Sequence, residues 1–174
     1  MHIQDVNITG CSSGQKGGGI AITSMADALL ENVRIYNGAS EQGGALAIFP
    51  LYSYSSGTAE VVVDSCLLLG NNATQSGGAL FASQGVVTVQ ASTFMNNTAM
   101  SMSGGQVAIE SGASLVLSNS ALSGGTAPSG GGLSVAGNAT ISSTLLTQNL
   151  GTAGGGGALY VTGSAVVNHS QFWG

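Results

Sequence analysis

A doublet of glycines, followed by one residue and then an aliphatic residue, recurs along the chain, and its spacing restricts the possible folds strongly. The six copies begin at Gly17, Gly43, Gly77, Gly104, Gly130 and Gly156. Successive copies are 26, 34, 27, 26 and 26 residues apart, so four of the five intervals agree within one residue. A period of this length is typical of a solenoid, in which each repeat packs only on its neighbours.

A second motif, a large apolar residue followed three positions later by asparagine, keeps phase with the first. It occurs at 94–97, at 146–149 and, in a weaker copy with shifted phase and no asparagine, at 122–125. When Ser65-Cys66-Leu67 is aligned with Ser92-Thr93-Phe94, Gly70 takes the place of Asn97. The two motifs therefore alternate in phase along the chain.

Short runs in which apolar and polar residues alternate predict β-strands rather than helices, and the clearest are 86–89, 113–117 and 159–161. We therefore predict an all-β chain folded as a right-handed parallel β-helix, a β-solenoid of about six coils of ~26 residues. Glycines are expected at corners that need a positive φ, and asparagines in side-chain ladders along equivalent corners. A propeller is excluded because each blade needs about 40 residues.

The whole chain, 1–174, is expected to be one solenoid segment of a larger protein, because neither end carries a polar capping segment. The long interval between glycine doublets contains residues 50–57, which we interpret as a loop inserted into one coil. Loops often carry function, and aromatic residues favour contacts with proteins and sugars. The predicted interaction loop consists of Phe49, Leu51, Tyr52 and Tyr54. In the alternative interpretation, these side chains cover the flank of the coil.

Charge is scarce, since charged residues make up 5% of the chain and the net charge is −5. Lys16 and Arg34 are the two basic residues, too few to bind a phosphate backbone, so no nucleic-acid partner is expected. No apolar run approaches the roughly 18 residues that span a bilayer, so this segment is not expected to insert into a membrane. Low charge with 43% hydrophobic residues also differs from the composition of disordered chains.

The Gly-Gly-Ala-Leu copies at 43, 77 and 156, together with the Phe-x-x-Asn element at 94–97, resemble the repeats of the chlamydial polymorphic outer-membrane proteins. The resemblance spans nearly the whole chain and rests on two motifs that alternate in phase. It implies a β-helical passenger that is exposed at the cell surface and used in adhesion. Similar repeats occur in large extracellular proteins of algae and other protists.

Catalysis on a β-helix needs convergent carboxylates, or a bound cation with a basic residue. Glu60 and Asp64 are expected to face one side of the same strand, with Ser, Thr or Val beside them in adjacent coils, so no acidic cluster is predicted. His2 and His169 lie near opposite ends of the column and cannot share a metal ion. We therefore expect no enzyme activity, no catalytic residues, no metal and no cofactor.

The two cysteines do not identify a cellular compartment. Cys11 and Cys66 are expected two coils apart, about 9 to 10 Å along the axis, which is beyond the reach of a disulfide. One interpretation is two small buried thiols. The other is pairing with a partner outside this chain.

Five Asn-x-Ser/Thr sequons are candidate N-glycosylation sites: Asn7, Asn72, Asn96, Asn138 and Asn168. Asn72 and Asn138 are expected in turns and are the better acceptors in a eukaryotic host. Asn96 is expected to compete with a role in the corner ladder. These sequons favour an extracellular or cell-surface location.

Together these features predict a structural or adhesive scaffold segment of an extracellular protein. Its expected partners are other protein subunits or flanking coils of the same chain, and glycans. One alternative is a repeat shaft of a surface filament or appendage that binds neighbouring subunits. A second is the non-catalytic part of a polysaccharide-active β-helix enzyme. A third, ice binding, is disfavoured because Thr88, Thr140 and Thr162 are scattered.

Overall fold

The computed structural model describes residues 1–23, 26–50 and 59–174, and within these ranges every regular element is a β-strand. All strand pairs are parallel, and each joins equivalent residues of successive coils. The chain is therefore a β-helix of about six turns with ~26-residue spacing, which confirms the predicted fold class. We name the four columns of stacked strands A, B, C and D in the order in which the chain visits them after each glycine doublet.

Columns A and B form one 11-stranded sheet, because two long strands run through both columns. Column A contains Ile20–Thr23, Leu46–Phe49, the first parts of Leu80–Gln90 and Val107–Ser118, Leu133–Val135 and Leu159–Val161. Column B contains His2–Gln4, Ala28–Glu31, Glu60–Asp64, the second parts of the two long strands, Asn138–Ser142 and Ser164–Asn168.

The other two columns form separate sheets of seven and five strands. Column C contains Asn7–Thr9, Arg34–Tyr36, Leu67–Leu69, Thr93–Met95, Ala121–Ser123, Leu145–Thr147 and Gln171–Trp173. Column D contains Ala39–Gln42, Asn72–Ser76, Thr98–Ala99, Thr126–Ala127 and Leu150–Gly151.

Each coil turns at left-handed residues that stack into three corner columns. At the D–A corner these residues are the first glycines of five doublets, with φ between 60° and 70°, as predicted. At the B–C corner they are Asp5, Asn32, Ser65, Ala91, Asn119, Ser143 and His169. At the C–D corner they are Gly10, Asn37, Gly70, Asn96, Gly124 and Gln148. Asparagine and aspartate tolerate this conformation better than most residues, so glycine is not required at every corner.

The core consists of like side chains stacked along the axis. In column C, the inward residues Ile35, Leu68, Phe94, Leu122 and Leu146 are all buried and lie in register from coil to coil. Burying such side chains stabilises the fold by about 1.5 to 3 kcal/mol each. The repeated apolar positions therefore become continuous apolar rows inside the column.

The strand register corrects one alignment made from the sequence. Phe94 pairs with Leu68, not Leu67, so Asn97 lies beside Asn71 and not beside Gly70. The interval between the doublets at 77 and 104 is 27 residues, one more than in most coils. The additional residue lies in the connection after Ala99, where it leaves strand pairing intact. The second motif is therefore complete in the coil that had seemed to lack its asparagine.

Candidate functional site

Asparagines form a side-chain ladder beside the C–D corner, as the sequence predicted for this kind of position; Asn71 and Asn97 are buried and Asn149 is half-buried. The Asn97 side-chain oxygen accepts hydrogen bonds from the backbone N–H of Asn71 at 2.7 Å and from its Nδ2 at 2.9 Å. The Asn97 Nδ2 donates to the Leu68 carbonyl at 2.9 Å. The side-chain oxygen of Asn71 accepts the backbone N–H of Gly38, and that of Asn149 accepts the backbone N–H of Gly125, each at 2.8 Å. This ladder tethers neighbouring coils.

A second ladder, of hydroxyl groups, runs beside the B–C corner and was missed by the sequence analysis. Ser92 accepts the Cys66 backbone N–H at 3.0 Å, Ser120 accepts that of Ser92 at 3.1 Å, and Ser170 accepts that of Thr144 at 3.1 Å. Each hydroxyl donates to the carbonyl two residues earlier in its own coil. A small polar residue two positions before each large apolar residue was the signal available in the sequence.

Four of the five predicted glycosylation sites are exposed, and none is buried. Asn7 and Asn168 lie in exposed strand positions, and Asn96 is exposed at a left-handed corner. Asn138 is exposed, whereas Asn72 is half-buried. Asn72 and Asn138 are the first residues of strands, so the expectation that both lie in turns is wrong.

The predicted ladder role of Asn96 is also wrong, because the neighbouring residue Asn97 takes it. Asn97 is 0% exposed, and Asn96 points outward over Gly124 in the next coil. Alternation along the chain explains the difference, since adjacent residues face opposite sides of the wall. Asn96 is therefore free of the ladder.

The predicted interaction loop lies only partly within the described residues. Phe49 is half-buried, and the Lys16 ammonium lies 4.7 Å from the centre of its ring and 5.8 Å from that of Phe81. These distances are typical of cation–π contacts. Leu51, Tyr52 and Tyr54 lie outside the described residues, so the interaction loop stays a prediction.

Acidic residues do gather on the outer face of column B, contrary to the expectation from the sequence. Glu60 lies beside Asp27 and Asp64 beside Glu31, because pairing across the inserted loop joins residues 33 positions apart. The Asp27 carboxylate accepts the Glu60 backbone N–H at 2.9 Å, and Gln90 donates to Asp64 at 2.9 Å. In the described ranges, no set of three or more His, Cys, Asp or Glu residues could hold a metal ion.

The two histidines are separated as predicted. The His2 Nε2 lies 3.2 Å from a carboxylate oxygen of Glu31, and both side chains are exposed to water. An exposed pair of this kind contributes little to stability. His169 occupies the B–C corner six coils away.

Both cysteines are free thiols, but their surroundings differ. Cys11 is exposed, which overturns its interpretation as a buried thiol, whereas Cys66 is 3% exposed. Burial raises the pKa of the Cys66 thiol above its ordinary value, because desolvation disfavours the thiolate. The folded chain holds this proton more tightly than the unfolded chain does. The contribution of the neutral buried thiol to folding stability is therefore fully present below pH 9 and is lost as the pH rises further.

We expect Cys11 to react with iodoacetamide at pH 8 more than about tenfold faster than Cys66, because the reagent needs an accessible thiolate. Peptide mass spectrometry of samples quenched over time measures both rates. In denaturant the two rates should become similar, which provides the control. Equal rates in the folded chain would contradict the buried position of Cys66.

A groove of about 460 Å³ runs along the B–C corner across four coils. Its floor includes the buried ladder residues Ser92, Ser120 and Thr144. Its walls are formed by corner residues on one side and by the first residues of column C strands on the other: Ala91, Asn119, Ser143 and His169, and Thr93, Ala121, Leu145 and Gln171. Its volume is within the usual range for small-ligand sites. No single residue or motif of the sequence indicated this groove.

The chain matches no family model, no curated protein and no solved structure. Among the described residues, no helix is long and apolar enough to cross a membrane.

Proposed function

We propose that this chain is a structural and adhesive scaffold segment of an extracellular or cell-surface protein. The observation that carries this proposal is the double tethering of coils, by the asparagine ladder at one corner and the hydroxyl ladder at another. These ladders add to the strand hydrogen bonds and hold outward side chains at a spacing of about 4.8 Å from coil to coil. A rigid surface with a regular spacing suits adhesion.

The distribution of charge also supports a binding role for the later coils. Both basic residues and six of the seven acidic residues precede Ser65, and Glu110 is the one acidic residue after it. The later coils therefore present mainly hydroxyl, amide and aliphatic groups. The repeat resemblance to the chlamydial polymorphic outer-membrane proteins adds to this proposal, as do the four exposed sequons, which we propose as glycan attachment sites in a eukaryotic host.

The alternatives receive less support. Thr88 and Thr140 share one outward row of column B, but Val116 separates them and Thr162 lies outside the strands, so a continuous threonine face for ice is absent from the described residues. A filament shaft is a competing proposal. A filament requires self-association that increases with concentration, and light scattering measures this and so separates the two proposals.

Beads coated with the chain are expected to adhere to cultured cells at least about tenfold more than albumin-coated beads, because many copies act together. Adhesion is counted by microscopy before and after enzymatic removal of cell-surface glycans. A Tyr54→Ser chain tests the predicted interaction loop, and Tyr160→Ser, which changes an exposed tyrosine of column A, is the matched control. Adhesion equal to that of albumin would overturn the adhesive function.

A further inference from the structure

The groove along the B–C corner presents unpaired polar side chains at a regular spacing. Asn119, Ser143 and His169 occupy the same corner position in three successive coils. Two backbone hydrogen bonds set this register, because the Asn119 N–H donates to the Ser142 carbonyl and the Ser143 N–H donates to the Asn168 carbonyl. All three side chains are exposed, and none makes a hydrogen bond within the described part of the chain. Their polar groups therefore repeat along the groove about every 4.8 Å.

The hydroxyl protons on the floor of the groove are already used in hydrogen bonds within the protein. The hydroxyls of Ser92, Ser120 and Thr144 donate to carbonyls of their own coils at 2.7 to 2.9 Å. Along one wall, the backbone N–H groups of Ala121 and Leu145 bind carbonyls of the preceding coils. An extended peptide that binds by strand addition needs free backbone groups on the protein. The N–H groups of Ala121 and Leu145 are already paired and cannot bind such a peptide. These paired donors favour recognition in the groove by side chains.

The chemistry of these side chains is neutral and mixed. No Asp, Glu, Lys or Arg lines the groove, and His169 is its one titratable side chain, so the groove offers no carboxylate, ammonium or guanidinium group to a ligand. Leu145 is 38% exposed, and Trp173 is 65% exposed and donates its indole N–H to Gln171 in the wall, at 3.3 Å. Exposed apolar and aromatic surface beside uncharged donors and acceptors matches a sugar, whose rings carry hydroxyls at the edges and C–H groups on the faces.

We propose that this groove binds a neutral oligosaccharide. Its hydroxyls hydrogen-bond to Asn119, Ser143 and His169, and one sugar face packs on Trp173. The groove crosses four coils, about 14 Å, so it holds a few sugar units rather than one. This inference rests on the proposed adhesive function and names the ligand class for it.

Binding is tested by titrating the isotope-labelled chain, produced in bacteria without glycosylation, with neutral oligosaccharides of glucose, mannose, xylose and galactose. Tetragalacturonate serves as the anionic counterpart. Two-dimensional NMR at up to about 10 mM sugar detects weak binding. The expected result is that at least one neutral oligosaccharide shifts the signals of Asn119, Ser143 and the Trp173 indole, while tetragalacturonate does not.

Two variants distinguish the groove from other surfaces. Asn119→Gly keeps the left-handed backbone and removes the amide, and we expect roughly fivefold weaker binding from the loss of one neutral hydrogen bond. Asn96→Gly is the matched control, because Asn96 is an exposed left-handed asparagine at the other corner, and it should leave affinity unchanged. Trp173→Ala, at an exposed position, gives a second test in which we expect at least about tenfold weaker binding.

Several outcomes would overturn the proposal. Among them are no shifts with any neutral sugar, equal binding of tetragalacturonate, or equal loss in the Asn119→Gly and Asn96→Gly chains. Beads that adhere to cells while the groove binds no sugar would overturn the groove assignment alone. Beads that fail to adhere, with sugar bound in the groove, would overturn the adhesive function and leave the site standing.

Discussion

A Gly78→Ala chain is expected to lose at least about 3 kcal/mol of unfolding free energy, or to fail to fold. A Cβ at this position would overlap the carbonyl oxygen of Gly105 and lie 2.5 Å from the backbone nitrogen of Thr98. Both are backbone atoms of the next coil and cannot rotate away. The two coils would have to separate, which breaks hydrogen bonds such as that from the Gly78 N–H to the Gly104 carbonyl at 3.0 Å. Circular dichroism during urea and thermal unfolding measures the loss.

Gly14→Ala is the matched control for this prediction. No heavy atom lies within 4 Å of a Cβ built on Gly14, and its φ is not in the left-handed region. We expect its unfolding free energy to change by less than about 0.5 kcal/mol. Equal unfolding midpoints for the Gly78→Ala and Gly14→Ala chains would contradict the close approach of coils at the D–A corner.

Asn97→Ala is expected to destabilise the chain by about 3 kcal/mol or more, because it leaves several buried polar groups without partners. The Asn71 backbone N–H loses its acceptor at 2.7 Å, and the Leu68 carbonyl loses its donor at 2.9 Å. Gln106, which is also fully buried, loses the hydrogen bond from the Asn97 Nδ2. Each such group costs about 1 to 3 kcal/mol when it stays desolvated.

The neighbouring variant Asn96→Gly provides the comparison. It removes an amide of the same chemistry from an exposed corner and keeps a backbone conformation that glycine adopts freely. We expect a change of less than about 1 kcal/mol in urea unfolding followed by circular dichroism. A larger loss for Asn96→Gly than for Asn97→Ala would show that the ladder does not stabilise the stack as inferred here.

The coil architecture was predictable because its tightest positions exclude side chains. A Cβ on Gly44 would overlap the Gly78 carbonyl oxygen, and one on Gly78 would overlap that of Gly105. The same crowding recurs where each coil turns into column A, so glycine recurs in the sequence with the period of the coil. The repeat thus reflects a steric requirement that no other residue satisfies.

The strand register was less predictable, because connections between strands differ in length while strand pairing does not. Phe94 pairs with Leu122, 28 positions on, whereas Leu122 pairs with Leu146, 24 positions on. Leu122 lies eight residues before its glycine doublet, whereas Phe94 and Leu146 lie ten before theirs, so the doublets at 104, 130 and 156 remain 26 residues apart. A constant spacing of one motif therefore does not fix the register of the other, and the segment at 122–125 looked shifted although it lies in register.

The candidate sites were predictable only where one residue carries the signal. Sequons are read directly, and four of their asparagines are indeed exposed. The pairing of Glu60 with Asp27 depends on the 33-residue offset across the inserted loop, which the 26-residue period hides. The B–C groove is formed by corner residues of four coils that share no motif, so it can be recognised only in the folded structure.

The confinement of charge to the early coils has a consequence for the environment in which this molecule works. At 0.1 M salt, mobile ions screen interactions between exposed charges that are more than about 10 Å apart, whereas hydrogen bonds between neutral groups carry no net charge to screen. After Ser65 the described surface contributes one carboxylate, Glu110, and one histidine, His169. Contacts that the later coils make through neutral polar groups are therefore expected to depend little on ionic strength.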